Sequence, residues 1–151
     1  MSALIKITRT VEFAETDMAG IMHFSNFFRW MEACETAFYR SLDLPLISFT
    51  PGRVVGWPRV RAACEFHAPL RYGDTAEVRL AVKELRTRAV VYSITFHKLV
   101  RGRPQARPAA RGEVTAVCVT SDPKTGAMTA VPFPRRVRTR LLRAAPPDRA
   151  G

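Results

Sequence analysis

Asp17, Gly20 and His23 share a short polar turn within the run Phe13-Ala14-Glu15-Thr16-Asp17-Met18-Ala19-Gly20-Ile21-Met22-His23-Phe24-Ser25-Asn26-Phe27-Phe28-Arg29-Trp30. Apolar residues then recur at Phe27, Met31, Cys34, Phe38 and Leu42, the spacing of a helix with one buried face. The turn therefore delivers a carboxylate just ahead of a helix start. A helix N-terminus offers unpaired backbone N–H groups and a positive dipole end, which suit an anion or a developing oxyanion. A carboxylate beside such donors is the minimum equipment for hydrolysing an activated ester. Taken alone, Asp17 is equally well read as a helix cap and Gly20 as a turn residue.

These residues must be positioned by a scaffold, and the chain is long enough to build one. Its 151 residues, 47% of them hydrophobic, fit a single domain, which at this size buries roughly 68–70% of its unfolded surface. The first residues alternate apolar and polar and resemble no signal peptide, and no apolar run approaches membrane-spanning length, so a soluble, cytoplasmic protein is expected. Cys34, Cys64 and Cys118 are odd in number and lie in apolar patterns, which suits reduced core thiols; no metal site and no cofactor is expected.

The net charge of +11 is unevenly spread. Arg135, Arg136, Arg138, Arg140, Arg143 and Arg149 crowd the last residues, and Arg101, Arg103, Arg107 and Arg111 form a second group. Such surfaces attract polyanions, whether nucleic acid or a phosphate-bearing ligand; a solvated basic face is the simpler account.

Period-two alternation predicts a strand over residues 3–13, a long helix over 24–42, a loop from Leu46 to Arg53, and strands around 60–66, 76–83, 90–96 and 114–120. Asp122-Pro123-Lys124-Thr125-Gly126 is a turn, and a short helix near 135–143 precedes a disordered end. Short connections between strands imply antiparallel pairing, so one helix must pack on one face of a curved sheet.

This order resembles the α+β hotdog fold: one long central helix on a curved antiparallel sheet of about five strands, here over residues 1–133, with an Arg-rich tail at 134–151. Asp17-x-x-Gly20 followed by Asn26-Phe27-Phe28-Arg29-Trp30 resembles acyl-CoA thioesterases of the 4-hydroxybenzoyl-CoA and Tol-Pal-associated type. Pro69-Leu70-x-x-Gly73-Asp74 and the basic Lys83–Arg88 hairpin extend the match. The resemblance implies that Asp17 attacks the thioester carbonyl or activates water, with backbone N–H groups near His23 and Phe24 as the oxyanion site. It also implies a catalytic role for His23, orienting the thioester or holding Asp17, and substrate contacts from Asn26 and Glu32, although His23 is offset by one residue from the histidine common in the Tol-Pal-associated branch. Packing, helix initiation and a surface ion pair are the respective alternatives. In relatives, hairpin residues matching Arg86 and Arg88 bind the coenzyme A nucleotide across a subunit interface, and the subunits pair into dimers and usually tetramers.

Two other readings compete. Hotdog hydratases carry a histidine followed by Pro-Gly, and no Pro-Gly follows His23. A nucleic-acid binder would interleave aromatics with its arginines for base stacking, yet no aromatic follows Phe133, so specific nucleic-acid binding is not expected. A non-catalytic acyl-binding subunit is the remaining alternative.

Overall fold

The computed structural model describes residues 4–50 and 53–145. In chain order the strands are β1 (Ile5–Thr10), β2 (Ile47–Thr50), β3 (Arg53–Gly56), β4 (Arg59–Phe66), β5 (Thr75–Leu85), β6 (Ala89–Val100), β7 (Arg103–Pro104), β8 (Ala110–Val117), β9 (Val119–Ser121) and β10 (Met128–Ala130). The helices among the described residues are α1 (Ser25–Ser41) and α2 (Arg135–Ala144), and a 3-10 turn spans Phe13–Glu15.

The main sheet runs β1-β5-β6-β8-β4 with β7 paired to the end of β6, and every pairing is antiparallel. Register explains the alternation seen in the sequence. Val78 faces Phe96, Leu80 faces Ile94 and Val82 faces Tyr92, so these residues share one face of the sheet and are buried. That face receives the apolar side of α1, whose Phe27, Trp30, Met31, Cys34, Phe38 and Tyr39 are all buried. The match of periods, 2 on the strands and 3.6 on the helix, makes this the core. Gly112 of β8 lies directly beneath Met31: a Cβ there would collide with the Met31 thioether, so the missing side chain sets how closely helix and sheet approach.

The segment read as a loop from Leu46 to Arg53 is largely strand. β2 and β3 pair and, with β9 and β10, make a second four-stranded sheet in the order β10-β9-β3-β2. Each of these strands has three or four residues, too few to establish a period, and Pro51-Gly52 dominated the reading as a turn signal. Pro51 and Gly52 themselves lie outside the described residues. The strand expected over 114–120 divides at Cys118, whose N–H donates to Arg88 O while its own carbonyl accepts from Val131 N. The main sheet ends there and the second sheet begins.

The helix expected near 135–143 forms as α2 and buries Val137 and Leu141. Its arginines reach the far end of α1: Arg136 donates to the Asp43 carboxylate and carbonyl, and Arg140 donates to Leu42 O. Cations at these orphan carbonyls satisfy the helix terminus and complement its dipole. Residues 146–151, read as a disordered end, lie outside the described residues. Among the described residues no helix is long and apolar enough to cross a membrane.

The link from β4 to β5 is the feature that matters for function. These strands lie at different places in the sheet, so residues 67–74 cannot form a hairpin and instead cross the ends of β6 and β8. That crossing runs beside the Asp17 turn: Met22 N donates to Leu70 O at 2.6 Å, and Val11 N to Asp74 O at 2.8 Å.

Candidate active site

The Asp17 turn is closed by its own backbone. Asp17 N donates to Ile21 O, Gly20 N donates to Asp17 O, and Ala19 N donates to Asp17 Oδ1 at 2.8 Å. Gly20 has φ +74°, a left-handed conformation that costs an L residue about 1–2 kcal/mol. The side-chain bond to Ala19 leaves Oδ2 without a partner among the described residues. The turn thus presents one free carboxylate oxygen at a half-buried position.

Glu15 anchors the turn from below. Its carboxylate accepts from Glu12 N at 3.0 Å and from Trp30 Nε1 at 2.8 Å, while its carbonyl accepts from His23 N and from Asn26 Nδ2. One residue thereby ties the 3-10 turn to the first turns of α1. Buried Asn26 is committed to this bond. His23 Nδ1 bonds Ser25 Oγ at 2.7 Å and lies 3.4 Å from Ser25 N, so its ring dresses the start of α1. With His23 N already donated to Glu15 O, Phe24 N is the donor at the helix start left without an acceptor among the described residues.

Asp17 and Phe24 line one pocket of about 580 Å³. Its remaining wall is mostly apolar, with Ile21, Met22, Phe27, Phe66 and Leu70, and His67 and Arg71 contribute polar edges. Phe66 meets Phe27 edge-on at 5.1 Å and Phe24 at 6.5 Å, a cluster that offers ring edges and faces to a planar guest. The Arg71 guanidinium reaches Gly20 O at 3.4 Å, and Arg71 N donates to the Asp74 carboxylate at 2.8 Å. Burial pushes the Asp74 carboxyl up, but hydrogen bonds from Lys98 and Arg71 N, with both positive charges, outweigh it and hold the group below its ordinary value. Asp74 therefore stays ionised and fixes the crossing segment.

Of the residues singled out in the sequence, Asp17, Gly20, His23, Phe24 and Asn26 come together at this end of the molecule. Glu32 is exposed on α1 and is not part of the pocket wall. Arg86 and Arg88 occupy the opposite end: Ala76 pairs with Lys98 at the Asp17 end and Leu85 with Val90 at the hairpin end, a span of ~30 Å at ~3.3 Å per residue. Arg86 is held there by a two-point contact with Glu84, both bonds at 2.8 Å. Glu15, Phe66, His67 and Arg71 carried no motif, and Pro69-Leu70 entered only as part of a family match, because the importance of this wall arises only when a segment some fifty residues away folds over the turn.

The thiols offer no rival nucleophile. Burial, reinforced by the Glu35 charge, pushes Cys34 up to about 12, and burial with Glu65 pushes Cys64 up to about 11; burial also raises Cys118. All three stay protonated near neutral pH, where a thiol is a weak nucleophile.

Comparisons with known proteins place the chain among thioesterases. A 1,4-dihydroxy-2-naphthoyl-CoA hydrolase of Synechococcus sp. (strain RCC307) is 33% identical over 113 residues, covering 70% of this chain and 82% of the relative. The 4-hydroxybenzoyl-CoA thioesterase of Pseudomonas sp. (strain CBS-3) is 29% identical over 93 residues, covering 60% of this chain and 66% of the relative. For some relatives the match is shorter still, 58% of the length of the 1,4-dihydroxy-2-naphthoyl-CoA hydrolase of Synechococcus sp. (strain CC9902). Among solved structures, a gentisyl-coenzyme A thioesterase superposes with a TM-score of 0.70 at 27% identity, over 89% of this chain and 99% of the other. The sequence pattern of the thioesterase-like superfamily spans residues 11–141, from the end of the first strand into the last helix, and the chain belongs to that superfamily.

Proposed function

We propose that the protein hydrolyses an acyl-CoA thioester to the free acid and coenzyme A, with Asp17 as the catalytic carboxylate. The observation that carries this reading is the juxtaposition in one pocket of the free Asp17 oxygen, the unpaired N–H at Phe24 and an apolar wall large enough for an acyl group. Water supplies the oxygen that forms the new C–O bond, and the C–S bond breaks to release the thiol. Asp17 acts either by taking the proton of that water or by attacking first and being released by it. The Phe24 N–H at the positive end of α1 meets the negative charge that develops on the carbonyl oxygen. A thiolate leaves readily, so one carboxylate and one donor site suffice.

The acyl class this pocket suits best is aromatic. Phe24, Phe27 and Phe66 form an edge-to-face set, and three relatives and neighbours bear names of aromatic acyl-CoA hydrolases. Assembly is part of the proposal: β4 is an edge strand with Val60 64% exposed, and pairing this edge with a second copy removes unsatisfied backbone groups. Arg86 and Arg88 reach a pocket of this kind only from such a copy.

The experiment is steady-state hydrolysis of aromatic, short-chain and long-chain acyl-CoA esters by the wild type and Asp17→Asn. A fall in kcat of roughly 10²–10⁴-fold in the variant, with fold and oligomer intact, is the expected result. Equal turnover by both proteins, or none on any ester, overturns the reading.

A further inference from the structure

His97 of β6 is a buried titratable side chain, 7% exposed, that takes no part in the chemistry above. Ile94 and Phe96 face α1, so the alternation of the strand puts Thr95 and His97 on the opposite face of the sheet. The loop between β7 and β8 folds back to meet the ring there. His97 Nδ1 bonds Gln105 O at 2.7 Å, and Nε2 bonds Thr95 Oγ1 at 3.0 Å. A carbonyl oxygen only accepts, so Nδ1 carries the proton and Nε2 of the neutral ring accepts from the hydroxyl. Both ring nitrogens are spent on holding the loop, a complete set of bonds for a buried imidazole.

The loop in turn holds one wall of the acyl pocket. Gln105 N donates to Lys98 O, and further along the chain Ala109 N donates to Phe96 O. The Ala109 carbonyl then accepts from His67 N at 2.8 Å and from Ala68 N at 3.0 Å. His67, Ala68 and Pro69 line the pocket that holds Asp17, and they also line a second pocket of about 520 Å³, which the Gln105–Ala109 loop completes. A wall that stands between two cavities has few packed neighbours to fix it, so the bonds at its ends set its place. At one end is the Ala109 carbonyl; at the other, Leu70 O accepts from Met22 N and the Asp74 carboxylate accepts from Lys98. Two consecutive residues of β6 therefore govern the wall, Lys98 directly and His97 through the loop.

We infer that His97 is a positioning residue that sets acyl selectivity: it holds Gln105 O and so the loop, and the Ala109 carbonyl of that loop fixes how far the His67–Pro69 wall stands from Phe24, Phe27 and Phe66. The inference rests on the proposed thioesterase reading and deepens it, because the width of the pocket decides which acyl group is held against Asp17. A planar ring gains from a wall kept close, whereas a short flexible chain gains little.

His97→Phe keeps a ring and removes both bonds, while His97→Asn returns a donor near the place of Nδ1. The ratio of kcat/KM for benzoyl-CoA over butyryl-CoA is expected to fall roughly tenfold in His97→Phe, chiefly through the KM of benzoyl-CoA, and to recover in His97→Asn. Hydrogen exchange read by mass spectrometry should show a peptide spanning His67 and Ala68 exchanging about tenfold faster in His97→Phe, with the Asp17 turn unchanged. Thr95→Val, which removes only the hydroxyl against Nε2, should move both readings the same way by less, and it stands in if His97→Phe does not fold. Turnover with an unchanged ratio, or unchanged exchange at His67 and Ala68, overturns the inference and leaves the thioesterase reading standing. No turnover of any ester by the wild type refutes the thioesterase reading instead, and the exchange measurement then decides alone whether His97 holds the wall.

Discussion

Glu15 receives four hydrogen bonds, from Glu12 N, Trp30 Nε1, His23 N and Asn26 Nδ2, and through them it holds the turn that presents Asp17. A glutamine in its place must turn an NH2 group towards one of two donors, Glu12 N or Trp30 Nε1, leaving that donor unpaired. Glu15→Gln is therefore expected to destabilise the protein by about 1–3 kcal/mol, read by urea denaturation, and to lower kcat as Asp17 loses its support. Gly20→Ala should cost about 1–2 kcal/mol for the left-handed backbone alone, again measurable as a shift of the urea midpoint. At this scale the sequence was informative where chemistry is contiguous. Asp17 and Gly20 lie three residues apart, so their turn could be read directly. Glu15 looked like any acidic residue ahead of a helix, and Asn26, which carried a substrate reading, is bonded to the protein itself. His67 and Arg71 carried no reading of their own, because no local pattern says which loop will fold across a helix end fifty residues earlier.

Among the elements, α1 and β8 meet where glycine is required. Gly112→Ala is expected to destabilise by about 1–3 kcal/mol through overpacking against Met31, and Met31→Ala in the same chain should recover part of the loss. Additive losses in a denaturation cycle would contradict the account. The long elements α1, β5 and β6 were legible because 11 to 17 residues give a period room to repeat. The strands of the second sheet were not, and what forms them is tertiary pairing: Val54 and Val55 join β9 only because the chain breaks at Cys118 and turns aside.

For the molecule as a whole, pH dependence should have two opposing parts. The first comes from Asp74, Glu77 and Glu113, each held below its ordinary value. Burial raises Asp74 and Glu77, but Lys98 and Arg71 outweigh it at the former and Arg79 and Lys6 at the latter; the hydrogen bond from Lys83 leads at Glu113. A depressed carboxyl contributes stability that is complete above its unfolded value and is lost as pH falls through the folded one, so this part fails in acid below the ordinary carboxylate range. Glu35 acts in the opposite sense. It is 3% exposed, and burial raises it despite the 2.8 Å contact with Arg59; one carboxylate oxygen has no partner. A raised carboxyl disfavours the fold while ionised, so lowering pH from neutrality towards its unfolded value relieves that penalty. Urea titrations at several pH values should show Glu35→Gln removing this rise on mild acidification while keeping the acid loss; a wild type and variant with parallel pH curves would contradict it.

The placement of α2 bears on how the chain is made. Every strand of both sheets is synthesised before Val137 and Leu141 emerge, yet these two side chains close the core at the far end of α1. A nascent chain lacking them has its sheets in hand and an uncovered apolar stretch on β5, the strand against which α2 packs in the finished protein. Such a chain invites premature association, the familiar hazard of partly folded intermediates. The arginines on α2 that bond Leu42 and Asp43 then act as a late clasp, and a chain cut before Val137 is expected to aggregate instead of folding to a shorter enzyme.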